Sequence, residues 1–395
     1  MPFKVLHIIT RFLRGGGTEK NTIYSIQALD KTKFSIDIAM GRESDFSYAR
    51  NVLPEVNEII MIKDLDNDFN PVKNLKALYK IFKLMRRNRY AVVHTHQCKA
   101  SILGCFAAKF AKVPIVIFSL HGDYLENPRF TGLWRKIYKL IEQIAVKCAT
   151  MFISVGEELQ ERYINRYGLS SSRCEVVRSG MELANFYKAT TFSQEKIKQK
   201  KEELNIKPEE LVIGKVSSLE LRKGYKFAIR VAEKIIRGNN RNIKFLFVGE
   251  GDQRAELEGM VKGLGLDDRI IFTGFRSDVD ELMGVFDIFI FTSSMEGLPQ
   301  VLVQAAAAGR PIVSFEVEGA KEVIKDGING FIVSSGDIDG LAEKTNYLLS
   351  NPEKAKEMGA NGKRIIGNRW DIADMQEKIR DIYDRLIDDT KQEAA

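Results

Sequence analysis

The sequence predicts an α/β protein with two doubly wound parallel sheets facing each other across a cleft. Three observations lead there. Its 395 residues suffice for two cores. Short apolar runs alternate with amphipathic segments along nearly the whole chain. The alternation breaks once, in the polar, lysine-rich stretch 188–210, and then restarts.

In the first half, strands are expected at Lys4–Ile9, Ser35–Met40, Glu58–Ile62, Ala91–His94, Ile115–Ser119, Met151–Ser154 and Cys174–Val177. Most are near-continuous apolar runs, as strands covered on both faces require. Helices fall between them, over Gly17–Leu29, Val72–Arg87 and up to Lys112. The second half repeats the scheme with strands Leu211–Val216, Lys244–Val248, Arg269–Phe272, Asp287–Phe291, Pro311–Phe315 and Gly330–Val333, and a helix over Tyr225–Ile236. A final helix from Trp370 to about Ile387 lies outside this second alternation. The implied domains are 1–187, 188–368 and a closing helix, 369–395.

Charge divides unevenly. Residues 1–190 hold 29 Lys+Arg against 18 Asp+Glu, and residues 191–395 hold 31 against 35. Such asymmetry suggests different partners for the two halves. No signal-peptide pattern precedes the first strand, and no apolar run approaches the ~18–20 residues that span a bilayer. A cytoplasmic protein is expected. Cys98, Cys105, Cys148 and Cys174 show neither CxxC nor metal-ligand spacing, so reduced thiols are expected and structural zinc is not. Nothing points to nucleic acid as a partner.

Residues 292–310 are the most informative stretch. The apolar run Val285–Phe291 reads as a buried strand. The chain then turns through Ser293–Leu298 and starts a helix with Pro299 at its first position, ended by Gly309 and Pro311. Such a turn lies where open α/β sheets bind ligands, and its free N–H groups favour phosphate. Glu296 suits sugar hydroxyls. An ordinary acidic turn before a buried helix has the same pattern.

Other candidates also sit at strand ends. Arg222-Lys223-Gly224 would neutralise a diphosphate. Gly249-Glu250-Gly251 and Gly274-Phe275-Arg276 follow later strands. Arg14–Lys20 carries contiguous glycines rather than a G-x-G-x-x-G fingerprint, and a tight strand–helix turn explains it equally. His121 ends one strand, and His94 and His96 end another. A pair of histidines at this spacing also suits a metal, but no carboxylate or third histidine stands nearby in sequence, so none is expected. Asp64, Asp66 and Asp68 form Asp-x-Asp pairs in a loop apart from these motifs.

The stretch from Glu296 to Gln304 resembles the signature of the retaining glycosyltransferases of family 4, which have the GT-B architecture of two Rossmann-like domains. That signature is Glu, seven residues, then Glu, with Gly after the first acid. Glu296 and Gly297 match; Gln304 stands at the second acid and keeps hydrogen bonding to a ribose hydroxyl without charge assistance. The resemblance extends to Gly16, Gly17 and Glu19 of a Gly-Gly-x-Glu loop, to His121-Gly122, to the histidine pair, to Lys223-Gly224 and to Glu322. The family's arginine ahead of that lysine is missing: Ser217 and Ser218 occupy its place.

The resemblance implies a retaining transfer from a nucleotide-diphosphate sugar, UDP favoured over GDP, to a glycan or lipid-linked acceptor in polysaccharide or glycolipid synthesis. No cofactor or metal is expected. Glu296 would hold sugar hydroxyls, with His121 near the anomeric centre. Lys223, Arg222 and the turn Gly297, Leu298 and Pro299 would bind the leaving phosphate. Gly16, Gly17, Gly249, Phe275, Arg276 and Gln304 would complete the donor site, and Glu19 and His96 would border the acceptor. Gln304, Ser217 and Ser218 motivate an alternative, a non-catalytic GT-B scaffold that binds a glycan or anionic polymer.

One surface stands out. Lys73, Lys76, Lys80, Lys83 and Arg87 fall within roughly 80° at about 100° per residue. Leu75, Leu78, Ile81, Phe82 and Met85 take the other side, which is expected to pack inward. The basic side is either a solvated face or a docking surface for an anionic membrane, on which the protein would be peripheral; Leu133–Tyr138 could add an interfacial aromatic anchor.

Overall fold

The computed structural model describes residues 2–68, 70–123, 125, 131–238, 242–296 and 298–394, with residues 393 and 394 described by backbone only. The chain forms two compact units, Met1–Met181 with Asp371–Ala395, and Glu182–Trp370.

The first unit runs β1 (Phe3–Ile9), α1 (Gly17–Gln27), β2 (Phe34–Gly41), α2 (Phe46–Val52), β3 (Glu58–Ile62), α3 (Pro71–Asn88), β4 (Val92–His96), α4 (Cys98–Ala111), β5 (Ile115–Leu120), α5 (Gly132–Cys148), β6 (Met151–Ser154), α6 (Glu157–Tyr167) and β7 (Cys174–Val176). Its seven strands are parallel, in the order β3-β2-β1-β4-β5-β6-β7. The order reverses beside β1, so β1, β4 and β5 present their carboxyl ends at the switch point. The last helix of the chain, Ile372–Ala394, belongs here. Met375, Ile379, Ile382, Tyr383 and Ile387 bury into the core formed by β1, β2 and α1.

The second unit opens with α7 (Ala184–Ala189) and α8 (Gln194–Glu203), then runs β8 (Leu211–Val216), α9 (Tyr225–Arg237), β9 (Ile243–Val248), α10 (Arg254–Gly263), β10 (Ile270–Gly274), α11 (Val279–Val285), β11 (Ile288–Phe291), α12 (Gln300–Ala307), β12 (Ile312–Phe315), α13 (Ala320–Val323), β13 (Gly330–Val333), α14 (Ile338–Ser350) and α15 (Pro352–Ile366), which makes the helix that returns to the first unit α16. Six parallel strands are ordered β10-β9-β8-β11-β12-β13, with the switch at β8 and β11. Within the stretch 188–210, read as a linker plus a short leading helix, the helix is α8. Ion pairs from Lys196 and Lys200 to Glu281, and from Lys200 to Asp278, fasten it to this unit.

Two expectations need correction. Pro299 is the cap before α12 rather than its first residue. Leu75 is 66 % exposed, as are Val72 and Tyr79 to similar degrees. The buried line of α3 is Ala77, Ile81 and Met85, one per turn, and it turns the Leu75 side outward. The basic face is also partly neutralised: Lys73 pairs with Asp66 at 2.9 Å and Lys80 with Asp64. Lys76, Lys83 and Arg87 hold no ion pair among the described residues. No described helix is long and apolar enough to cross a membrane.

Candidate active site

Parallel register builds the first cluster. β1 pairs with β4 so that His7 lies opposite His94, and β4 with β5 so that His96 lies opposite Ser119. Since alternate residues share a face, His94, His96 and His7 come together. His121 follows β5 and stacks on His96 with ring centroids 5.8 Å apart. All four histidines of the chain meet here.

Most of their nitrogens are paired, while His96 Nδ1 and His121 Nε2 have no hydrogen-bond partner among the described residues. His7 Nδ1 and His96 Nε2 are 3.0 Å apart. His94 bonds Tyr383 of α16 through Nδ1 at 2.9 Å and Ser119 through Nε2 at 2.7 Å. Burial holds His7 down at about 3 and His121 at about 4, and presses His94 and His96 well below the ordinary 6.5. All four are therefore neutral at pH 7. His7, His94 and His96 place ligand atoms within 4.8 Å of each other, a third histidine that the sequence did not bring into view. Both nitrogens of His94 already hold hydrogen bonds, and coordination would break one of them. His96 is 1 % exposed, one layer beneath His121 rather than at a surface. His121 is half-buried, its Nε2 has no hydrogen-bond partner among the described residues, and Asn21 Nδ2 stands 3.4 Å from its Nδ1.

The glycine loop ends at Gly16, the cap of α1, and Gly17 is its first residue. A Cβ on Gly16 would lie 1.9 Å from the Glu19 carboxylate. Glu19 itself is buried, which pushes its carboxyl up, and it accepts from the Leu13 N–H at 3.4 Å. It braces the loop. Asp66 is fully buried among Arg42, Lys73 and Lys99 and Asp64 is held by Lys80, so these carboxylates serve ion pairs.

The second cluster lies at the carboxyl ends of β8 and β11. Ser294 N–H donates to Arg222 O at 2.9 Å and Thr292 Oγ1 to Gly224 O at 2.9 Å, which ties the two strand-end loops together. Gly224 has φ +67°, and a Cβ there would stand 2.0 Å from Thr292 O. Glycine is obligatory at that crossing. On this frame Lys223 Nζ meets Glu296 Oε1 at 2.6 Å, both side chains more than four-fifths buried. Arg222 pairs with Glu220 at 2.8 Å and lies 3.9 Å from Glu296. Beneath them, on β8, Lys215 is fully buried, and its Nζ has no hydrogen-bond partner among the described residues. A lysine inside the apolar run Leu211–Val216 was the signal for it.

Gly249 N–H bonds Gly274 O at 2.9 Å, joining the loops after β9 and β10. Phe275 next to it is 80 % exposed. Arg276 is not free, since Asp278 and Glu203 hold its guanidinium. Gln304 lies half-buried in the first turns of α12, Leu298 is half-buried, and Gly297 lies outside the described residues. Glu322 sits half-buried on α13.

Comparison with known proteins bears on both units. Residues 15–185 match the model described as Glycosyltransferase Family 4, and residues 196–365 the one described as Glycosyl transferases group 1. An Escherichia coli UDP-Gal:alpha-D-GlcNAc-diphosphoundecaprenol alpha-1,3-galactosyltransferase is 25% identical over 94% of this chain and 94% of its own. The Campylobacter jejuni N,N'-diacetylbacillosaminyl-diphospho-undecaprenol alpha-1,3-N-acetylgalactosaminyltransferase is 25% identical over 80% and 83%. Among solved structures, Anabaena Alr3699/HepE in complex with UDP superposes with a TM-score of 0.80 at 21% identity, covering 97% of this chain and 100% of that one.

Proposed function

We propose a specific reaction for this chain, which is a glycosyltransferase of the GT-B fold combining a family 4 domain with a group 1 domain. It moves a sugar from a UDP-sugar to a hydroxyl of a glycan or lipid-linked acceptor, with retention of the anomeric configuration. The observation that carries this proposal is the Lys223–Glu296 pair on two loops hydrogen-bonded together at the strand ends. A cation for the diphosphate and an acceptor for sugar hydroxyls stand side by side there. The uridine donor is supported by the UDP named for the Escherichia coli and Anabaena proteins. Lipid-linked acceptors are supported by the undecaprenol-diphosphate in the names of two relatives.

In this scheme the bond from the anomeric carbon to the leaving phosphate oxygen breaks while the acceptor oxygen bonds the same face. The departing phosphate takes the acceptor's proton. Lys223, Arg222 and the turn Gly297–Pro299 stabilise the leaving charge, and positioning supplies most of the rest. Neutral His121 offers its unbonded Nε2 to a sugar hydroxyl near the anomeric centre. Gln304 meets the ribose, and Phe275 is the residue open to a base. The outer side of α3, where Val72, Leu75 and Tyr79 border Lys76, Lys83 and Arg87, suits peripheral contact with an anionic membrane.

A panel of UDP- and GDP-sugars, scored by free nucleotide and by the anomeric configuration of the product, tests this. A UDP-sugar should yield UDP and a product of unchanged configuration, with or without a chelator. Glu296→Gln should cost about 1.5–3 kcal/mol, roughly ten- to hundredfold in kcat/KM. Release of nucleotide from none of the donors, or an inverted product, defeats the proposal.

A further inference from the structure

We propose that Lys215 is an affinity-determining residue of the donor site: it takes up one proton from solvent when the nucleotide diphosphate binds, and so supplies the positive charge that Ser217 and Ser218 do not. This rests on the donor site proposed above.

The geometry leads there. Lys215 is fully buried on β8, with its Nζ over the rings of Tyr225 at 4.7 Å and Phe291 at 5.5 Å. Its neighbour across the ladder on β9 is Phe247. The titratable groups facing it are Tyr225 from α9, Lys223 from the loop after β8 and Glu296 from the loop after β11. Tyr225 gives its hydroxyl proton to the Ser217 carbonyl at 2.9 Å and its oxygen accepts from Ser217 Oγ at 3.2 Å, and it makes no hydrogen bond with Lys215. Glu296 is committed to Lys223. For an ammonium these neighbours provide two aromatic faces and the nearby charge of Glu296, but no hydrogen-bond acceptor among the described residues.

The charges of the site explain what such a group is for. Lys223 holds Glu296 and Arg222 holds Glu220, so these four side chains sum to zero before any ligand arrives. A diphosphate brings at least two negative charges and finds both cations already paired. Lys215 is the cation nearby without a carboxylate. Burial, helped by repulsion from Lys223, lowers its value to about 7, so near neutrality the free protein holds it partly as the amine. A phosphate anion above it reverses that balance: the amine plus a solvent proton becomes the ammonium, and no bond to carbon changes. Aromatic faces suit the product, because cation–π attraction strengthens once the charge appears.

The test is calorimetric titration of UDP into the full-length chain near pH 8, in two non-phosphate buffers of different ionisation enthalpy. The wild type should take up close to one proton per UDP bound, the uptake growing between about pH 6.5 and 8. Affinity should fall up to roughly tenfold per pH unit above about 7, since only the charged form greets the phosphate well. Lys215→Met should bind UDP at least tenfold more weakly at pH 7, with no proton uptake. Lys215→Gln serves if that variant does not fold, and the wild-type pH series stands without either. UDP binding with no uptake, or uptake that persists in the folded variant, overturns the role of Lys215 and leaves the donor site standing. Absence of UDP binding by the wild type overturns both.

Discussion

Each unit gathers titratable side chains at the carboxyl ends of its switch-point strands, but the two gatherings solve burial differently. Histidine in the first unit can be neutral, donate and accept at once: His7, His94 and His96 bond with Tyr383 and Ser119 into one network, and His121, held by Asn21, stacks against it. Lysine in the second unit can only donate, and Lys215 finds nothing to donate to among the described residues. A buried group that satisfies itself holds a structure together; one left unsatisfied is poised for something that arrives later. The contrast assigns architecture to His7 and His94, and ligand response to Lys215. His96 and His121, each with one nitrogen unbonded among the described residues, stand between these roles.

Acid should break the first network, and this is the largest effect expected. The folded-state values of the histidines lie below the ordinary 6.5, so the unfolded chain binds protons that the folded chain refuses. Stability is then intact above about pH 6.5 and falls as the pH drops below it, by up to about 1.4 kcal/mol per pH unit for each histidine. Chemical denaturation from pH 7 to 5, followed by a probe in the first unit, measures this. His7→Gln should flatten the slope. An unchanged slope would mean that the histidines titrate alike in both states.

The second cluster should respond with opposite signs in stability and binding. Replacing Lys215 by Met removes a buried amine with no partner, and apolar replacement of buried charge stabilises proteins by about 1–4 kcal/mol. The folded value of Lys215 is lowered, so the wild type itself gains stability as the pH rises from about 7 towards 10, a gain absent in Lys215→Met. A variant that melts higher at pH 7 yet holds UDP more weakly carries the mark of a functional burial. A variant that melts lower would show that the lysine stem is packing the core.

What the sequence could and could not reveal follows the same division. Strands such as Met151–Ser154 and Leu211–Val216 appear where their apolar runs lie, because burial on both faces leaves a local mark. The strand-end loops were legible through glycines that the crossing chains require, as at Gly224 and Gly249. Partnerships were not legible. His7 and His96 are 89 residues apart and Lys223 and Glu296 73, and only strand order and register bring them together. His7 and Lys215 did announce themselves in one way: each is a titratable residue inside an apolar strand. The orientation of α3 escaped because Ala77, a small residue, lies on its buried line while Leu75 stands outside.

The smallest expected effect concerns the one position where the signature itself departs. Gln304 lies half-buried at the fifth of the eight residues of α12, past the first turn on which the helix dipole acts. A carboxylate there gives a ribose hydroxyl a charge-assisted acceptor in place of a neutral one. Against this, the glutamate adds a negative charge to a site about to receive a diphosphate, and the paired cations Lys223 and Arg222 have little charge to spare. The two influences nearly offset, so Gln304→Glu should tighten UDP by no more than about 0.5–1.5 kcal/mol, roughly two- to tenfold. With Lys215 changed to Met the added repulsion goes unopposed, and the gain should shrink or reverse. Calorimetry on the single and double variants, with Gln304→Ala beside them, decides it. Equal binding by the Glu and Ala variants would place the ribose away from Gln304. A gain that survives the loss of Lys215 would separate the two residues electrostatically.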